Sequence, residues 1–151
     1  MGISVWRGKM NRSSGTVVYD MATGAGSVDL KIELDSIDFG LEALNKWARG
    51  SDFFDVANNP VATYKGSFAA ILNGTPMLVK GELSLHGVTR PVVLEIKSLK
   101  CIPHPMLKRD YCGADAKGSF DRSAFGLNAG KDWGFKMNVD LRIQIEALAQ
   151  E

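Results

Sequence analysis

The chain has 151 residues, 45% of them hydrophobic and 23% charged, a size and composition that suit one compact domain and exclude a disordered segment. Eighteen Lys and Arg against 17 Asp and Glu leave a net charge of +1, so no bulk field draws the chain to nucleic acid or to an anionic membrane. Apolar runs are only a few residues long, against the ~20 that a membrane-spanning helix needs, and the start, MGISVWRGKMNRSSG, holds no secretory hydrophobic region.

Sixteen glycines and five prolines punctuate the chain at intervals that suit short strands and turns, with no linker or repeat across residues 1–151. Weak strand signals come first, at about 3–10, with Trp6 facing inward, and at 15–20. From Val28 to Leu34 apolar and charged residues alternate without a break, which gives a strand with Val28, Leu30 and Ile32 on its dry face. Residues 41–48 change the period: Leu41, Leu44, Trp47 and Ala48 recur at helical spacing, and Gly50 is placed to end the helix. A weaker strand at 61–71 turns Tyr64 and Phe68 inward. Residues 77–85 put Met77, Val79, Gly81, Leu83 and Leu85 on one face and Lys80, Glu82 and Ser84 on the other. His86 to Pro91 then reads as a tight hairpin leading to strand 92–97, whose Val92, Leu94 and Ile96 face in. A weak strand at 113–120 precedes the clearest alternation, 136–147, with Met137, Val139, Leu141, Ile143 and Ile145 inward.

Short strand spacing without a βαβ unit predicts an all-β, antiparallel fold with one short helix. One dry face per strand points to a closed or nearly closed barrel, with a two-layer sandwich as the alternative.

Chemistry is sparse. Cys101 and Cys112 flank a loop in which prolines bracket His104. A disulfide is the favoured reading, closing about a dozen residues; free buried thiols, or a zinc site from Cys101, His104, Cys112 and His86, are the alternatives, although that spacing fits no common zinc pattern. Asp52, Asp55, Asp121 and Arg122 stand among Phe53, Phe54 and Phe125, where the carboxylates can serve acid–base work or the aromatics can plug a barrel end beside locally paired charges. His86 is assigned to its hairpin and not to catalysis.

Four ordered motifs carry a resemblance: GISVWRGKM (2–10), SDFFDVANNP (51–60), KGELSLHGVTRPVVL (80–94) and DRSAFGLNAG (121–130). Together they resemble the YceI-like family of lipocalin-like β-barrels, typically bacterial periplasmic proteins known for binding polyisoprenoids or related long-chain amphiphiles. The stretch CIPHPMLKRDYCGADA is similar to a branch with an extra cysteine pair. The Arg-Asp-rich turn common before the Asp-Phe-Phe motif is replaced here by Leu41 to Trp47. Family members usually open with a signal peptide and a strand of the type Tyr-x-x-Asp-x-x-His-Ser, so the first family strand is expected to be missing. That would leave a sheet edge open to homodimer formation. The resemblance implies a periplasmic, non-enzymatic protein without a metal or other cofactor. It would bind, and transport or store, a long-chain isoprenoid or similar amphiphile among the inward residues named above. The alternatives are an enzyme or accessory factor of isoprenoid or quinone metabolism, or an interaction module of a respiratory membrane complex.

Overall fold

The computed structural model describes residues 3–150. Its elements are β1 (Lys9–Met10), β2 (Ser13–Tyr19), β3 (Gly26–Glu33), β4 (Ile37–Asp38), α1 (Glu42–Arg49), β5 (Val61–Leu72), β6 (Thr75–Leu85), β7 (Val88–Pro103), β8 (Asp110–Asp121) and β9 (Asn138–Leu148). β1 and β4 form a small ribbon; the other seven strands form one antiparallel sheet in the order β2-β3-β5-β6-β7-β8-β9. The sheet curls into a half-barrel, so that Val17 of β2 and Ile143 of β9, from its two edges, line the same cavity. One curled sheet replaces the two layers of a sandwich. β2 pairs only with β3 and β9 only with β8, so the curl is left open along that side among the described residues.

Alternation does most of the work. Val28, Tyr64, Val79, Leu83, Val92 and Leu94 are buried on the concave face, and the odd positions of β9 from Val139 to Ala147 are half-buried while their even neighbours are exposed. Two hairpins use two-residue turns with both residues at positive φ, Asn73-Gly74 and His86-Gly87, the geometry whose twist matches that of the flanking strands. The helix runs from Glu42 to Arg49, one residue later than its sequence signal, and the Gly50 amide donates to the Trp47 carbonyl at 3.0 Å to end it. Asn45 anchors it: its buried side chain accepts from the Phe39 amide at 2.7 Å and donates to Asp38 at 3.1 Å.

One end of the half-barrel is plugged. Leu34, Ala48, Phe125 and Leu127 are almost fully buried there with Phe54. Phe53 stacks on Trp47 with ring centroids 5.1 Å apart, and Phe120 meets Phe125 edge-on at 5.3 Å. Asp121 accepts from the Ser123 amide at 2.8 Å. The Arg122 guanidinium donates to the carbonyls of Leu127 at 2.6 Å and Ala129 at 2.8 Å, and lies 5.6 Å from the Phe53 centroid. Burial pulls its pKa down from the usual arginine value. The aromatics therefore plug this end of the barrel, with Asp121 and Arg122 bonded to the neighbouring backbone.

Candidate functional site

A cavity of about 80 Å³ lies inside the half-barrel, lined only by apolar surface. Val28 and Leu30 of β3, Phe68 of β5, Val79 of β6 and Leu94 of β7 make one wall, and Ile143, Ile145 and Ala147 of β9 make the facing wall. The space exists because β8 contributes small inward residues: Ala114 and Ala116 stand where larger side chains would fill it.

A β-bulge between Ile96 and Ser98 sets the geometry of β7. Before it the inward residues are even, Val92, Leu94 and Ile96; after it Leu99 lines the cavity, so the face has switched to odd positions. The switch turns Cys101 to the concave face, directly opposite Cys112 in the ladder, with the two Cα atoms 4.0 Å apart and the sulfurs bonded. Cys112 is also a cavity-lining residue, so the disulfide fixes the β7–β8 hairpin beside the space it borders. The zinc reading fails on the same geometry. Both sulfurs are committed to each other, and His86 lies at the plugged end with Nδ1 3.0 Å from the Phe125 carbonyl oxygen. Among the described residues no group of three or more His, Cys, Asp or Glu side chains is placed so that it could hold a metal ion.

No lining residue can donate or accept a proton, Cys112 being locked in its disulfide. Tyr64 is a titratable group on the concave face; its hydroxyl donates to the Val92 carbonyl at 2.7 Å with the Val79 carbonyl 3.3 Å away. Burial pushes its phenol up to about 12, so it is neutral across the physiological range.

Of the residues expected in the lumen, Val28, Leu30, Phe68, Val79, Leu94 and Ile143 line the cavity. Ile32, Tyr64, Leu83 and Leu141 belong to the hydrophobic core without lining it. Val139 and Met137 are half-buried at the β9 start, away from the cavity lining. Gly81 is a correction: it is roofed by the Tyr64 ring, so it offers no free volume. Trp6 and Met77 are corrections too, being 61% and 42% exposed. Trp6 lies before β1, outside the sheet. Met77 stands opposite Ala70, whose φ of +51° interrupts the ladder between the pairs Ala69–Leu78 and Ile71–Pro76. The interruption turns Pro76 inward in place of Met77 and leaves Ala70 exposed. Sequence reasoning missed Val17, Leu99 and the β8 residues. The alternating small residues of GADAKG (113–118) are the signal that points to volume on that strand.

Comparison with known proteins bears on this geometry. The YceI-like domain family matches residues 1–147. A UPF0312 protein of Vibrio cholerae is 33% identical over 154 residues, spanning 98% of this chain and 77% of the relative. A UPF0312 protein of Pseudomonas aeruginosa is 29% identical over 161 residues, covering 99% and 78%. Among solved structures, the Campylobacter jejuni YCEI protein superposes with a TM-score of 0.85 at 20% identity, over 100% of this chain and 89% of that one. A polyisoprenoid binding domain from Saccharophagus degradans, implicated in plant cell wall breakdown, gives 0.65 at 20% identity, over 95% and 85%. At these identities the structural matches establish the fold.

Proposed function

Because the chain belongs to the YceI-like family, we propose that it binds a long-chain isoprenoid or similar amphiphilic lipid with the chain in its half-barrel, and carries or stores it. The observation that carries this reading is the wholly apolar cavity that reaches between β2 and β9. Its lining has no acid, base or nucleophile, which supports binding over turnover. The polyisoprenoid-binding fold neighbour supports the same ligand class.

Magnitudes shape the mechanism. One water occupies ~30 Å³ of liquid, so a cavity of about 80 Å³ receives only a few methylene-sized groups. The rest of a long chain runs along the open β2–β9 side, with the side chains there parting to cover it. Each buried methylene contributes ~0.8 kcal/mol, and total affinity saturates near ~20 kcal/mol. Such a site selects girth and length more than chemical identity. The disulfide fits an oxidising, extracytoplasmic compartment, and the periplasm is the compartment proposed. No helix among the described residues is long and apolar enough to cross a membrane.

The test is titration of a long-chain isoprenoid alcohol into wild-type protein, Ala114→Trp and His86→Ala, each checked for folding by circular dichroism. Filling the cavity at Ala114 is expected to abolish binding, whereas His86→Ala binds as wild type. Equal binding by Ala114→Trp contradicts the reading.

A further inference from the structure

The sheet divides beyond Glu95. β6 and β7 pair from Leu85 opposite Val88 up to Leu78 opposite Glu95 and no further, while β7 itself continues to Pro103. The first residues of β6 stay with β5, as Thr75 opposite Leu72 and Pro76 opposite Ile71. That hairpin leans on the β2–β3 turn, where a Cβ on Gly24 would lie 2.7 Å from Ile71 and 2.5 Å from the Gly74 carbonyl oxygen. Past the bulge, residues 98–103 pair with β8 alone among the described residues. They form an inner edge of the sheet, bonded on one side only, and such a segment opens locally at lower free energy than a strand paired on both.

This edge is also a wall of the cavity. Leu99 lines it from β7, and Cys112, Gly113 and Ala114 line it from the facing stretch of β8. On its other side β8 is paired as well, with Cys112 opposite Ala147 and Ala114 opposite Ile145 of β9. Cys101 therefore lies on the loosely held edge and Cys112 on the doubly paired strand, and their bond is the covalent tie between the two. Both cysteines are half-buried, not sealed in the core, which leaves the bond within reach of an attacking thiol.

We propose that Cys101–Cys112 is a redox-controlled latch on the cavity. Oxidised, it holds the edge at 98–103 against β8 and slows the escape of a bound chain; reduced by a protein dithiol, it frees the edge and the chain leaves. In the reducing step a thiolate of the partner attacks one sulfur of the pair, and the S–S electron pair departs with the other sulfur, which takes up a proton. The partner's second thiolate then resolves the mixed disulfide, so that this chain ends with two thiols and the partner with one disulfide. The inference rests on the lipid-binding reading above and adds control of release to it.

Release kinetics test it. Protein loaded with a fluorophore-tagged long-chain isoprenoid alcohol is mixed with phosphatidylcholine vesicles, with and without dithiothreitol, each form being checked for folding by circular dichroism. Reduction is expected to speed release ~tenfold or more. Cys101→Ser/Cys112→Ser is expected to release at the fast rate under both conditions. Arg122→Ala, weakened at the plugged end instead, is expected to release slowly when oxidised and to accelerate on reduction as wild type does, which separates a latch from a general loss of stability. Hydrogen exchange of the lipid-free protein is expected to rise at 98–103 on reduction and to stay unchanged in β3 and β5. A probe bound by neither redox form overturns the lipid reading and the latch with it. A probe bound by both and released at equal rates, unchanged exchange at 98–103, or fast release from oxidised Arg122→Ala overturns the latch alone and leaves the disulfide a staple of the fold.

Discussion

Tyr64 lies across Gly81 so closely that a Cβ at position 81 would stand 2.7 Å from the ring Cζ and 2.5 Å from the Lys65 carbonyl oxygen. The absent side chain lets the ring settle over the β6 backbone and reach the Val92 carbonyl. Substitution of Gly81 therefore acts on the wall of the barrel and not on its interior. Gly81→Val is expected to cost ~1–3 kcal/mol through overpacking, measured as a lower urea midpoint; an unchanged midpoint would show that the ring can move away.

The same tyrosine gives the fold a signature in alkali. Its folded pKa is about 12 against an ordinary value of 10.0, so burial favours the neutral phenol. The stability this contributes is complete below pH 10.0 and is lost as pH rises through about 12. Wild type is expected to lose more stability across that window than Tyr64→Phe. Parallel stability–pH curves for the two proteins would contradict this.

Reduction of Cys101–Cys112 removes the cross-link on the concave face beside the cavity. The chain-entropy account gives ~3 kcal/mol for a loop of this length. Denaturation with and without reductant is expected to show that loss, and Cys101→Ser/Cys112→Ser is expected to match the reduced protein. Identical midpoints in oxidised and reduced protein would argue against it.

Arg122 closes the plugged end by donating to the loop carbonyls of Leu127 and Ala129. Arg122→Ala is expected to cost ~2–4 kcal/mol, because bonds from a charged donor are worth more than neutral ones. Arg122→Lys recovers little of it, since an ammonium does not reproduce the guanidinium fork. Full recovery by lysine, read from thermal midpoints, would show that charge alone suffices.

How far the sequence was legible follows from where alternation is regular. β3 and β9 keep strict period two, so their inward faces, Val28 and Leu30 or Ile143 and Ile145, match the pattern. The helix was legible because its apolar spacing departs from its surroundings. Legibility failed at two backbone irregularities. The positive φ at Ala70 turned Met77 out, and the bulge after Ile96 brought Leu99 in, and neither position holds the glycine that commonly marks such a site. Cavity volume was harder still. It arises where Ala114 and Ala116 meet Ile143 and Ile145 across paired strands, a relationship of register and curl that one strand read alone does not contain.

The central claim is that the apolar half-barrel holds a lipid chain, and mass spectrometry of organic extracts tests it most directly. Wild-type protein and Ala114→Trp are purified side by side, confirmed as folded, and extracted. The account predicts a long-chain isoprenoid or similar amphiphile from wild type, near one per protein, and its loss from Ala114→Trp. An extract of wild type free of lipid, or equal lipid from both proteins, would contradict it.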